Sequence, residues 1–214
     1  MPANHSIKKA LSLIQNDASK VLGLNVGRYE DVQPGQYIPR AGKKNIIVRP
    51  LIYQEGLDKT NLIPNVWIAG IRLDAQSHPD LFSRSLSPSS TYMVVGLDID
   101  APFPSFGVLG PILHWIQGGL QPTPSECNPG IYYTLEVTAP FVANYIGPAP
   151  PPGSSPHRYI FILYEQPAGF DAKKYAPPNG QNLGNIHRMR YNLDAWEKEI
   201  QLGPIVAANY FKSN

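Results

Sequence analysis

Three short stretches of this chain carry residue types that can move protons or hold an anion. The first is Leu97-Asp98-Ile99-Asp100-Ala101-Pro102, with two carboxylates one residue apart. Side chains at i and i+2 of a strand share a face, so both aspartates are expected to line one cavity. Carboxylates that close repel, and one pKa rises unless a cation intervenes. The second stretch, Leu113-His114-Trp115-Ile116, and the third, GPAPPPGSSPHRYIFILYEQ from Gly147 to Gln166, supply His114, His157 and Arg158 as candidate cations. An acidic pair facing histidines, roofed by Trp115 and Tyr159, can bind an anion or shuttle a proton. The same Asp–His and Asp–Arg pairs can equally serve only to pin loops to a sheet. Two histidines and two aspartates could also ligate a divalent metal, but their spacing matches no common ligand motif, and no metal is expected.

The elements that must position these residues are mostly short strands. The Pro/Gly-rich loop from Gly147 to Pro156 is stiff, and a stiff loop feeding a strand holds a histidine in a fixed pose. That strand is expected from Arg158 to Glu165. Others are expected over Asn45 to Arg49, Val66 to Leu73, Tyr92 to Leu97, Leu113 to Gln117, Tyr132 to Val137 and Ile205 to Phe211, from their β-branched and apolar runs. Ser85 to Ser90 is turn chemistry, Pro122 to Gly130 a turn-rich insertion, and Pro167 to Asn185 a surface excursion. The loop from Pro102 to Gly110 carries Phe103, Phe106 and Val108, which either wall a pocket or pack down.

Two helices are expected. In Ser6 to Leu22, Ile7, Leu11, Ile14, Ala18 and Val21 share one face, with Ser6 as cap and Gly23 as stop. Asn16 and Asp17 dilute its cationic face, which favours a packing helix over one lying on a membrane. Asn192 caps the second helix, with Leu193, Trp196 and Ile200 inward, and Gly203-Pro204 ends it.

Composition narrows the function classes. The 214 residues suit a single domain over 1–214, with residues 1–25 as an N-terminal helical extension. Hydrophobic residues at 43% against 16% charged support a sizeable core, and 23 prolines with 18 glycines exclude long helices. A net charge of +2, without a basic stripe interleaved with aromatics, argues against a nucleic-acid partner. The lone Cys127 excludes an intrachain disulfide and a thiolate metal site. With no apolar signal segment and no run near the ~20 apolar residues of a membrane helix, a cytoplasmic protein without stable membrane insertion is expected.

Taken together, the three motifs resemble those of the phosphatidylethanolamine-binding proteins, also called the Raf kinase inhibitor or flowering-locus-T-like family. Asp98-Ile99-Asp100-Ala101-Pro102 resembles the family's Asp-Pro-Asp-Ala-Pro, and His114-Trp115 its His-Trp element. Gly147 to Gly153, Pro156-His157-Arg158-Tyr159 and Leu163 to Gln166 resemble its Gly-Pro-x-Pro-Pro-x-Gly, His-Arg-Tyr and Tyr-x-Gln signature. The likeness is close from Ser89 to Gln166 and weak in the first third. It implies a mostly-β sandwich with a large central antiparallel sheet, a smaller sheet and flanking helices. It also implies a small anion pocket without a cofactor, lined by Asp98, Asp100, Pro102, His114, Trp115, His157, Tyr159 and Tyr210, with Arg158 bracing an aspartate. Ile99 departs from the family's proline; proline would fix φ and remove a donor.

Family members resemble lipid binders, kinase-cascade and carboxypeptidase inhibitors, and transcriptional co-regulators. The long loop before Arg158 and the Phe170-Asp171 extension look most like fungal members. Some of those accompany polyketide pathways that join maleic-anhydride units into maleidrides, beside ketosteroid-isomerase-like partners. That resemblance implies a pocket for a dicarboxylate or anhydride, with His157, Asp100 or His114 as acid–base groups for dimerisation. The alternative is a non-catalytic binder of a phosphate headgroup, or an inhibitor of a protease or kinase.

Overall fold

The computed structural model describes residues 4–40, 79–83, 86–105, 108–126 and 131–214. The strands expected at 45–49 and 66–73 lie outside those residues, as do Phe106 and Cys127. Among the described residues, nine strands join into one hydrogen-bonded sheet: β1 (Gly23–Asn25), β2 (Gln36–Tyr37), β3 (Asp80–Ser83), β4 (Tyr92–Asp98), β5 (Ile112–Glu126), β6 (Ile131–Val137), β7 (Phe141–Ala143), β8 (His157–Glu165) and β9 (Ile205–Ser213). Their order is β1-β3-β6-β5-β4-β8-β9-β2, with β7 added to β5. Only the β2–β9 pair is parallel.

The mostly-β class and the central antiparallel sheet are as expected. The sheet is continuous because β5 is long: it pairs with β4 as far as Leu120, then with β6 from Leu120 to Glu126. A turn-rich insertion from Pro122 is therefore not what forms. Among the described residues, 121–126 have β6 as their only partner strand. Proline lacks a ladder donor, and an edge segment tolerates that lack.

β4 shows where the core lies. All seven of its residues are buried, between β5 and β8. On one face Val95, Leu97, Ile160 and Ile162 pack with Ile7, Ala10 and Ile14 of α1 (His5–Asn16) and with Leu193, Trp196 and Ile200 of α3 (Leu193–Ile200). On the other face Val94, Phe161, Leu163 and Phe211 pack with Leu22, Leu24 and Trp115. A strand covered on both faces reads as a continuous apolar run. Each buried Leu, Ile or Phe contributes about 1.5–3 kcal/mol.

Helix α1 stops at Asn16, short of the expected Leu22. The Asp17 side chain accepts from the Ser19 amide and turns the chain into a 3-10 turn, Ala18–Lys20. Val21 then bridges Ala208, so the last apolar positions of the helical pattern serve the sheet instead. The α1 cap also comes from elsewhere: Asp194 of α3 accepts from the His5 amide at 2.8 Å and the Ser6 amide at 3.1 Å. Asn192 caps α3 as expected, accepting from the Ala195 amide at 3.0 Å. The 167–185 stretch is less of an excursion than its composition implies. It contains the short helix α2 (Ala172–Tyr175), and Phe170 and Tyr175 stack on each other and meet the Trp196 ring edge-on. No described helix is long and apolar enough to cross a membrane.

Candidate functional site

The end of β4, the start of β5 and the start of β8 meet at a cavity of about 390 Å³. Asp98 ends β4 and lies opposite Tyr159 of β8. His157 sits two residues before Tyr159, on the same face of the sheet. His157 is 0% exposed, and its Nδ1–H donates to Asp98 Oδ2 at 2.8 Å. Its Nε2 pairs with the Ser154 hydroxyl at 2.8 Å, so both ring nitrogens are occupied. Asp98 Oδ1 accepts from the Asp100 amide at 2.9 Å. Ser154, His157 and Asp98 thus follow the order of a hydrolase relay, but Ser154 does not line the cavity, and its hydroxyl also donates to the Ser155 carbonyl. The arrangement is a brace for the imidazole.

His114 reaches the cavity through a bulge. The β4–β5 register runs from Gly96↔Trp115 to Leu97↔Leu113, leaving His114 as the extra residue. A bulge re-aims a side chain at the rim of a sheet. His114 Nδ1 lies 2.7 Å from the Ile146 carbonyl. A carbonyl only accepts, so Nδ1 carries the proton and Nε2 keeps its lone pair. Burial pushes the His114 pKa down, with help from Arg188 and His157, against the opposing pull of the Ile146 carbonyl and Asp98. The imidazole is neutral near pH 7.

Tyr159 packs edge-on against His114, with ring centroids 5.1 Å apart, and stacks at 6.5 Å on His157. Among the described residues its buried hydroxyl has no partner at full hydrogen-bonding geometry, although the Asp98 carboxylate and the Ala149 backbone lie beside it. Burial, and then the Asp98 carboxylate, push its pKa up, so it remains a donor. Tyr159 lies behind the cavity rather than among its lining residues.

Asp100 does not share the cavity with Asp98. The strand ends at Asp98, so the i, i+2 rule no longer applies to Asp100. Its carboxylate accepts from Arg158 three times: from the backbone amide and Nε at 2.8 Å each, and from Nη2 at 2.7 Å. Burial opposes ionisation, but the Arg158 hydrogen bonds and charge hold Asp100 below the usual carboxylate range. Arg158 alternates with His157 and faces the opposite side of β8. Tyr210 pairs with Ile160 on that opposite side and packs against the α1–α3 core, so alternation keeps it out of the cavity. Trp115 also lies elsewhere, lining a second cavity of about 550 Å³ beside Leu120 and Leu135. Pro102 does line the cavity, next to the cis Ala101–Pro102 peptide. Ile99 uses the donor that a proline would lack: its amide donates to the Arg158 carbonyl at 3.1 Å.

Arg188 has no counterpart in the sequence reading. It lines the cavity and is 1% exposed. Its guanidinium donates to the carbonyls of Leu183, Leu113 and Asn144 at 3.1 Å, and to Asn144 Oδ1 at 2.5 Å. Every one of those acceptors is neutral. Its own backbone carbonyl accepts from the Leu113 amide at 2.8 Å, fixing the β5 start beside His114. No periodicity marks it off from the nearby Arg190. Ser154 could have been found from its place three residues before His157. The walls above this polar floor are apolar: Leu109, Ile112, Ile146 and Met189, with prolines 102, 150 and 151.

A family model described as phosphatidylethanolamine-binding protein matches residues 29–211. The chain belongs to the phosphatidylethanolamine-binding protein family. Among curated relatives, the carboxypeptidase Y inhibitor of Saccharomyces cerevisiae is 42% identical over 67 residues, 31% of this chain and 30% of the inhibitor. The MOTHER of FT and TFL1 homolog 2 of Oryza sativa is 30% identical over 143 residues, covering 67% of this chain and 71% of that protein. Phomoidride biosynthesis cluster protein N of Talaromyces stipitatus is 30% identical over 120 residues, 56% of this chain and 57% of that one. The matches to the inhibitor and to the cluster protein thus span less than two thirds of those relatives. Among solved structures, the carboxypeptidase Y inhibitor complexed with its cognate proteinase superposes with a TM-score of 0.60 at 21% identity, over 99% of this chain and 93% of that one. The Plasmodium vivax phosphatidylethanolamine-binding protein gives 0.54 at 14% identity, over 100% and 98%. At such identities the likeness is one of fold.

Proposed function

We propose that the cavity binds an amphiphilic organic anion and assists the joining of two maleic-anhydride-derived units. The observation that carries this reading is a polar floor with an open acceptor, His114 Nε2, and a buried cation, Arg188, beneath apolar walls. A carboxylate or ring-opened anhydride meets the floor, and an alkyl chain lies along Leu109, Ile146 and Met189. The likeness to the phomoidride cluster protein supports this choice among organic anions.

His114 is the better base than His157 or Asp100. Both His157 nitrogens and both Asp100 oxygens already have partners. With the closed anhydride, which is uncharged, His114 Nε2 stays unprotonated and takes a proton from the carbon γ to the carbonyl, and the electron pair is held as an extended enolate. That carbon adds to the alkene of the second unit, and the imidazolium returns its proton to the new enolate. No oxidant is needed. The test is incubation with an alkylmaleic anhydride, alone and with a ketosteroid-isomerase-like partner, with dimers read by mass spectrometry. Dimer above the buffer rate that disappears in His114→Ala is expected. A rate equal to buffer in both settings overturns the coupling role.

A second reading is protease inhibition. It rests on the 42% identity to the carboxypeptidase Y inhibitor over 67 residues. Titration against carboxypeptidase Y separates the two: inhibition that survives His114→Ala would make the cavity incidental.

A further inference from the structure

Arg188 and His114 together limit the charge of what this cavity can hold. Arginine does not deprotonate, so Arg188 is a fixed cation out of water. All of its N–H groups are engaged with neutral oxygens, and among the described residues no carboxylate pairs with it. It reaches a ligand through its field rather than through a hydrogen bond. A buried charge without a counter-ion is costly, and an anion arriving in the cavity offsets that cost. Asp98, the carboxylate at the floor, is turned to His157. One negative charge on a ligand is therefore matched by a charge already in place.

A second negative charge meets no further fixed cation among the described residues lining the cavity. The groups around His114 are Asp98 on β4, His157 and Tyr159 on β8, and Arg188 in the turn after 185. Asp98 and Tyr159 cannot supply positive charge, and the two nitrogens of His157 are held. His114 has one ring nitrogen locked as a donor to Ile146 and the other open.

We propose that the cavity takes organic dianions together with one proton, which His114 Nε2 accepts while Arg188 matches the remaining charge. This inference rests on the amphiphilic-anion reading. It names the ligand class more narrowly: a dicarboxylate or phosphate monoester bound as its dianion with the accompanying proton on His114, in preference to a dianion bound without one. Asp98 favours the protonated imidazole, and Arg188 opposes it until a ligand anion offsets its charge.

The test is calorimetry at pH 7.5 in two buffers of different ionisation enthalpy, with n-hexylmaleate, phosphoethanolamine and the monoanion octanoate as probes. Uptake of about one proton is expected with hexylmaleate and close to none with octanoate. His114→Gln should abolish the uptake and weaken hexylmaleate by about tenfold, the factor carried by one pKa unit of coupling. Imidazole nitrogen shifts of the wild-type protein, recorded with and without hexylmaleate, report the same proton without a substitution. Binding of hexylmaleate with no proton uptake overturns this inference and leaves the anion site standing. Failure of all three probes to bind overturns the anion site, and this inference falls with it.

Discussion

His157 and Asp98 form a buried pair, Nδ1–H donating to Oδ2 across 2.8 Å with side chains 0% and 5% exposed. Removing one partner of such a pair leaves the other uncompensated. His157→Ala should cost about 3–5 kcal/mol of stability. Urea denaturation measures it; a loss below 1 kcal/mol would mean that water replaces the imidazole freely. Ser154→Ala removes the other partner and leaves Nε2 unsatisfied, for a smaller loss of about 1–3 kcal/mol.

The Asp100–Arg158 pair should set part of the acid limb of stability. The folded Asp100 pKa is depressed, burial opposing and Arg158 prevailing. A depressed carboxylate contributes stability that is fully present above its unfolded pKa of about 3.9 and is lost as pH falls through the folded value. Arg158→Leu should flatten that limb. The Arg158 side chain is 41% exposed, which screens the pair and argues for the low end of about 1–3 kcal/mol at neutral pH. Denaturant midpoints from pH 2 to 7 check both the sign and the size; a limb unchanged in the variant would rule the pair out as its source.

Which parts were readable follows from how local each feature is. Asp98, His114 and His157 stood out because their neighbours form strand and loop patterns that carry over into the structure. Asp100 departs from expectation because the i, i+2 rule needs a strand that continues, and β4 ends at Asp98, two residues before it. The bulge at His114 comes from the register against β4, a relation between two strands that neither states alone. The family resemblance alone implied Tyr210 as a pocket residue, whereas the β8–β9 pairing places it on the opposite face. Arg188 was invisible for a different reason: its partners are main-chain carbonyls at 113, 144 and 183, which no residue type announces. The α1 boundary failed where Asp17 bonds Ser19, a local turn that outcompetes the helical pattern.

Asp194 should behave as a cap supplied across helices. It accepts two free amides of the first turn of α1, and those bonds hold its pKa down although its partial burial pushes the other way. Asp194→Ala should cost about 1 kcal/mol. Faster hydrogen exchange confined to the His5 and Ser6 amides is the signature. Exchange that rises evenly across the sheet would point to general destabilisation instead.

The apolar walls predict how affinity depends on chain length. Leu109 and Met189 line the cavity yet remain 40% and 39% exposed, and Phe103 and Val108 are also exposed in the same loop region as Leu109. An alkyl tail leaving the polar floor therefore finds uncovered apolar surface. Each buried methylene contributes about 0.8 kcal/mol, close to fourfold in affinity. Along a series from methylmaleate to octylmaleate, affinity should climb by about that factor per carbon and then level off where the tail runs past Met189. Met189→Ser should lower the slope without changing the affinity for phosphoethanolamine, which has no tail. A flat series would show that the walls serve packing alone, and that the floor binds its anion without regard to what is attached to it.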